Sequence, residues 1–226
     1  GEPDRYFVPS EWSKQRLLER LPTADSRVEV TGIPVHSAFA CAETKVEARK
    51  RTGLPLEVPV VLVSAGGIGA GPFGRVVDLL QKVDLPLHAV VICGRNEGLY
   101  SRVSDAFRGG RITVKGHIAL EDMATFMRSA DFMIGKPGGL TSAECCVAGC
   151  PLVVYAPFMI PGQEEDNARS LVESGAGLLV ENEVELQTVI ARLLSSPTEL
   201  QLLRKNALAL AKPNAAPTII QQLQGE

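Results

Sequence analysis

Residues 60–74 read VVLVSAGGIGAGPFG, and the fold turns on how this stretch is read. Val60, Val61, Leu62 and Val63 follow one another without a polar residue between them. A strand of that kind is buried on both faces, as in a parallel sheet covered by helices. Gly66, Gly67, Gly69 and Gly71 then let the backbone turn sharply and approach a ligand, and Pro72 suits the first turn of a following helix. Strand, glycine loop and helix start in that order aim free amides and the positive end of a helix dipole at a strand's carboxyl end. Anions bind there in doubly wound sheets.

The same alternation runs through the chain. Further apolar runs are Leu87 to Cys93, Ile112 to Val114, Phe132 to Ile134, Leu152 to Tyr155 and Leu178 to Val180. Helical segments are expected near 72–82, 97–107, 119–129, 141–148, 164–173 and 184–195. The fold class is therefore α/β: a doubly wound, Rossmann-like parallel sheet with right-handed crossovers. Residues 1–35 break the pattern, with short strands at Tyr6–Val8 and Val28–Val30 around a helix near 13–20. They read as the tail of a further domain plus a linker, followed by a main domain over 36–212 and a C-terminal helical segment over 213–226.

Composition narrows the function. The chain has 226 residues, 45% of them apolar, and a net charge of -3, which argues against a nucleic-acid partner. No apolar run approaches the roughly 18–20 residues of a membrane span, and the opening GEPDRYFVPSEW has no apolar signal-peptide core. Cys41, Cys93, Cys145, Cys146 and Cys150 form no CxxC pair. They are expected to be reduced core residues of a cytoplasmic protein.

A second loop, GKPGGLTSAE at 135–144, follows the strand Phe132 to Ile134. Gly138 and Gly139 precede a helix expected to be capped near Leu140–Thr141, and Lys136 adds a cation. Two anion-ready helix starts on one sheet are most simply joined by a diphosphate. With no Asp-x-Asp pair to hold a divalent ion, the site is expected to need no metal and no cofactor. Glu144 has two readings from spacing: the partner of Thr141 in a capping box, or a carboxylate accepting from two ribose hydroxyls. Gly69-x-Gly71-x-x-Gly74 also fits a dinucleotide fingerprint, but Gly94-Arg95-Asn96 stands where an acidic residue should end the next strand.

The stretch KPGGLTSAECCVAGCPLVVYAPFMIPGQEEDNARSL, 136–171, resembles the donor domain of the GT-B glycosyltransferases. The branch it is most similar to contains processive diacylglycerol glucosyltransferases and monogalactosyldiacylglycerol synthases. YFVPSE, VTGIPV, CGRNEGLY and VKGHI fit as well. The resemblance implies that Gly66, Gly67 and Gly69 face the phosphates and that Gly116, His117 and Ile118 meet a uracil ring. It implies that Gly138, Gly139, Leu140 and Thr141 give amides to the diphosphate, that Glu144 holds the ribose, and that Gln163, Glu164 and Asn167 read donor-sugar hydroxyls. Glu165 and Asp166 are expected only to favour their helix N-terminus.

The implied partners are a UDP-sugar donor and a lipid acceptor, diacylglycerol by likeness, reached through a missing N-terminal domain. The implied setting is the cytoplasm or the cytoplasmic membrane face, with peripheral contact. Transfer with inversion belongs to the parent enzyme, whose general base lies in the absent domain. His36, His88 and His117 supply none here, His88 reading as a satisfied core residue. Rival readings are an NADP-dependent oxidoreductase domain using Arg95 on the 2′-phosphate, a natural donor subunit with a separate acceptor partner, and a nucleotide-sugar 2-epimerase.

Overall fold

The fold is described from a computed structural model, over residues 3–69, 71–106 and 110–224. A small parallel unit opens the chain: β1 (Tyr6–Val8), α1 (Glu11–Arg20) and β2 (Val28–Val30), with Tyr6 paired to Val28 and Val8 to Val30. After α2 (Lys45–Thr52), strands and helices alternate as the apolar runs require. They are β3 (Val60–Ser64), α3 (Phe73–Lys82), β4 (His88–Ile92), α4 (Glu97–Ala106), β5 (Ile112–Lys115), α5 (Leu120–Ser129), β6 (Phe132–Gly135) and α6 (Gly139–Ala148). The series continues through β7 (Leu152–Tyr155), α7 (Glu165–Glu173), β8 (Gly177–Val180), α8 (Glu183–Ser195), α9 (Pro197–Leu210) and α10 (Ala215–Gln224).

The main sheet has the order β5-β4-β3-β6-β7-β8, and each pairing is parallel. Both faces are apolar because successive side chains of a strand point to opposite sides. From β3, Val61 and Val63 enter the cluster holding Phe73, Val76, Leu80, Ile134 and Leu186. Val60 and Leu62 enter the opposite one, with Val90, Met127, Met133 and Cys145. The expected doubly wound α/β fold is present.

Helix α2 was not expected from periodicity, for a physical reason. It buries only Ala48 and Arg49, so it has no apolar stripe to read. A Thr44–Glu47 capping box starts it, and Gly53, at φ +69°, ends it. It is docked by polar groups. The Arg49 guanidinium donates to the Asp131 carboxylate at 2.6 Å and to the backbone carbonyl oxygens of Ser129, Pro55, Leu56 and Val58. Asp131 also accepts from Lys45 at 2.7 Å and from the Val60 N–H at 2.7 Å, fastening the start of β3.

The cysteine expectation needs one correction. All five are free, and Cys93, Cys145, Cys146 and Cys150 are buried, but Cys41 is exposed just after a short 3-10 turn at Ser37–Ala40. Burial pushes the Cys93 and Cys146 thiols up to about 11, the direction that makes a thiol inert. His88 meets the Thr113 hydroxyl at 2.9 Å, and burial lowers its pKa, as a satisfied, uncharged histidine requires. The two ends of the chain meet. A Cβ on Gly32 would stand 2.4 Å from that of Lys212, and Arg5, just before β1, donates to Gln222 of α10 at 2.8 Å.

Candidate functional site

Strands β3 and β6 are neighbours although 67 residues lie between Ser64 and Phe132, and the strand order reverses between them. Ser64 pairs with Gly135, so the two glycine loops leave the sheet side by side. This is the switch-point crevice in which doubly wound sheets hold their ligands.

In the first loop the glycines have different tasks. Gly66 (φ +84°) faces the second loop: a Cβ there would touch Cε of Lys136 at 3.5 Å. Gly67 is exposed, and its carbonyl accepts from the Arg95 N–H at 3.0 Å. Gly69 is different from its expected role. It is buried, its N–H donates to the Gly66 carbonyl at 3.1 Å, and a Cβ would stand 2.0 Å from the Cys93 carbonyl oxygen. Gly71 likewise makes room for the Phe158 ring. Two members of the dinucleotide-like triplet therefore use their missing side chains for packing against protein. Asn96, whose role the sequence reading missed, ties this loop down. Its amide donates to the Gly69 carbonyl at 3.0 Å, and its Oδ1 accepts from the Leu99 N–H at 2.9 Å. An asparagine just before a helix starting at Glu97 was the available signal.

The second loop corrects the expected helix cap. Helix α6 begins at Gly139 with Gly138 as its N-cap, so Leu140 and Thr141 lie inside the first turn. Thr141 makes no cap hydrogen bond, and the capping-box reading of Thr141 and Glu144 fails. The first bond that closes the helix is Ser142 N–H to the Gly138 carbonyl, at 2.8 Å. The amides of Gly139, Leu140 and Thr141 are thus the first-turn donors that an α-helix leaves unused. Glu144, one turn further on, is half-buried and has no hydrogen-bond partner among the described residues. Burial raises its carboxyl to about 7.

Lys136 is paired. Its ammonium donates to Glu164 Oε1 at 2.7 Å, and Glu164 Oε2 accepts the Ile160 N–H at 2.9 Å. Glu164 is only 6% exposed and is the N-cap residue of α7. Glu165 acts as expected at that helix start, accepting from the Gly162 N–H at 2.6 Å, which holds its carboxyl below the usual range. Gln163 is exposed. Asn167 lines a cavity of about 110 Å³ together with Trp12, Ile33, Gly139, Ser142 and Cys146, between the N-terminal unit and the α6–α7 face. Across the sheet, Gly116 and Ile118 are half-buried and His117 exposed in the loop after β5, with the Tyr100 ring 3.7 Å from where a Gly116 Cβ would sit. Among the described residues, no three His, Cys, Asp or Glu cluster to hold a metal ion, and no helix is long and apolar enough to cross a membrane.

The strand order and switch-point helix start are those of doubly wound nucleotide-binding sheets in general. The likeness of the whole fold to solved glycosyltransferases such as WaaG, with a TM-score of 0.65 and 13% identity over 97% of this chain and 62% of that one, places it in the GT-B class of α/β folds. Residues 60–223 match the Glycosyltransferase family 28 C-terminal domain, and the chain belongs to that family. It is 31% identical over 222 residues to the processive diacylglycerol beta-glucosyltransferase of Bacillus pumilus (strain SAFR-032), covering 97% of this chain and 57% of that protein. It is 33% identical over 229 residues to the chloroplastic monogalactosyldiacylglycerol synthase 3 of Arabidopsis thaliana, covering 97% of this chain and 48% of the relative. The chain thus spans about half the length of these curated relatives. Among solved structures, S. aureus MnaA in a co-structure with UDP shares the fold, with a TM-score of 0.71 and 16% identity over 98% of this chain and 60% of that one.

Proposed function

We propose that this chain is the donor half of an inverting, metal-independent glycosyltransferase, and that it binds a UDP-sugar at the β3/β6 switch point. The observation that carries the reading is helix α6. Three unused amides at Gly139, Leu140 and Thr141 stand beside the Lys136 ammonium, and an unpartnered, half-buried Glu144 lies one turn along. Amides plus a cation suit a diphosphate, and a free carboxylate suits the two hydroxyls of a ribose. Gly116, His117 and Ile118 take the uracil, and Gln163 and Asn167 take the hexose. Family membership and the UDP carried by the fold neighbour both support this assignment.

The acceptor in the full protein is diacylglycerol, the lipid named for the Bacillus relative and for the plant one. Reaction occurs at the cytoplasmic membrane face, which the protein contacts peripherally. As the bond from the anomeric carbon to the diphosphate breaks, negative charge grows on the leaving oxygen. Donors aimed there in advance stabilise that charge without reorganising. Calorimetry of the 226-residue chain with UDP, uridine and NADP+ tests the reading. UDP is expected to bind with the diphosphate contributing most of the affinity; an absence of UDP binding, or preference for NADP+, would overturn it.

A further inference from the structure

The Lys136–Glu164 pair is the least ordinary feature of the site. Its carboxylate is almost wholly buried, with side-chain exposures of 21% for the lysine and 8% for the glutamate. The pair joins three loops. Lys136 leaves β6, its stem passes Gly66 after β3, and its ammonium ends on the N-cap of α7 after β7. Glu164 Oε1 also lies 3.5 Å from where a Gly138 Cβ would be, beside the unused amides of α6. The ammonium assigned above to a diphosphate thus has a protein anion at 2.7 Å.

We infer that Glu164 is an internal placeholder for the diphosphate: it holds Lys136 in position when the site is empty and weakens the grip on the nucleoside diphosphate when it is full. This rests on the diphosphate reading above and adds a role that sugar recognition does not predict. Both carboxylate oxygens are engaged, one by Lys136 and one by the Ile160 N–H. Glutamine at 164 keeps an acceptor for that N–H but leaves a largely buried ammonium without its counter-ion. An uncompensated buried charge is costly, and a bound diphosphate would remove that cost. The empty state is penalised more than the bound state, so affinity rises. The like-charge repulsion between carboxylate and diphosphate disappears as well. A donor site tuned this way releases its diphosphate product more readily.

The test is calorimetry of the full chain with UDP and uridine. Glu164→Gln is expected to bind UDP on the order of tenfold more tightly than wild type, with uridine affinity unchanged. Lys136→Met is expected to weaken UDP, and adding Glu164→Gln to it should tighten binding clearly less than the same change does in wild type, since only the like-charge repulsion is left to relieve. Thermal unfolding is the second readout: Glu164→Gln should melt lower when empty and gain more than wild type from saturating UDP. A variant that folds only with UDP is the same result in extreme form, and one that UDP does not rescue overturns the inference. Unchanged or weaker UDP binding by Glu164→Gln also overturns it, and a selective loss of UDP-glucose would return the residue to sugar recognition. Wild-type protein that fails to bind UDP would instead refute the proposed function itself, and this inference with it.

Discussion

Replacing Glu144 by glutamine separates binding from stability, because the structure predicts opposite signs for the two. Burial raises the Glu144 carboxyl from 4.5 to about 7, so the folded chain prefers the neutral form. A folded-state pKa above the unfolded one means the folded state holds more protons between about pH 4.5 and 7. Stability therefore falls as pH rises through that window, and the full cost is present above it. At face value the shift corresponds to about 3 kcal/mol. The side chain is half-buried, and solvent screening reduces this to about 1 kcal/mol. Glutamine removes the cost, so above pH 7 the empty variant should melt about 2–4 °C higher than wild type, and at pH 4.5 no higher.

Binding should move the other way. An ionised carboxylate accepts both ribose hydroxyls, and losing its charge should weaken UDP by about 1–3 kcal/mol, roughly 5- to 100-fold. Only the ionised form is a full acceptor. With a pKa near 7 and a neutral form that binds roughly 5- to 100-fold more weakly, this group alone should reduce wild-type UDP affinity about 3- to 9-fold from pH 8 to pH 6. The glutamine variant should lack that component and keep only the titration of the ligand's own phosphate. The assay is calorimetry across pH, with 2′-deoxyuridine diphosphate as control and melting curves on the same preparation. An unmoved UDP affinity together with an unchanged or lowered melting temperature would refute the reasoning.

Three other outcomes are expected. UDP affinity should be the same with and without EDTA, because helix amides and Lys136 supply the counter-charge; calorimetry reads this directly, and affinity that vanishes on chelation counts against the proposed site. Gly69→Ala should destabilise the chain by several kcal/mol, since its Cβ would stand 2.0 Å from the Cys93 carbonyl oxygen at a φ of +64°; denaturant unfolding measures it. Asp131→Ala should cost about 3–5 kcal/mol by leaving the Arg49 guanidinium, 7% exposed, without its anion, again read by denaturant unfolding.

The strands and their order along the chain were legible because an unbroken apolar run such as Val60 to Val63 has one stable placement, between two layers of helix. The glycine loops were legible because their composition is written locally, and Gly138-Gly139 before a helix announces free amides in any context. Helix α2 was not, since Arg49 and Asp131, 82 residues apart, hold it rather than an apolar face. The helix start at Gly139 was missed because Thr141-x-x-Glu144 satisfies the capping pattern equally well on paper. Only backbone geometry selects the cap, and that selection leaves Glu144 unpartnered. The adjacency of the two loops and the pairing of Lys136 with Glu164 across 28 residues come from the crossover that puts β6 beside β3 and β7 beside β6. Sequence by itself determined which residues could bind an anion, because residue type sets the chemistry of each group. Tertiary structure decided which of them meet, because a contact between distant segments depends on strand order.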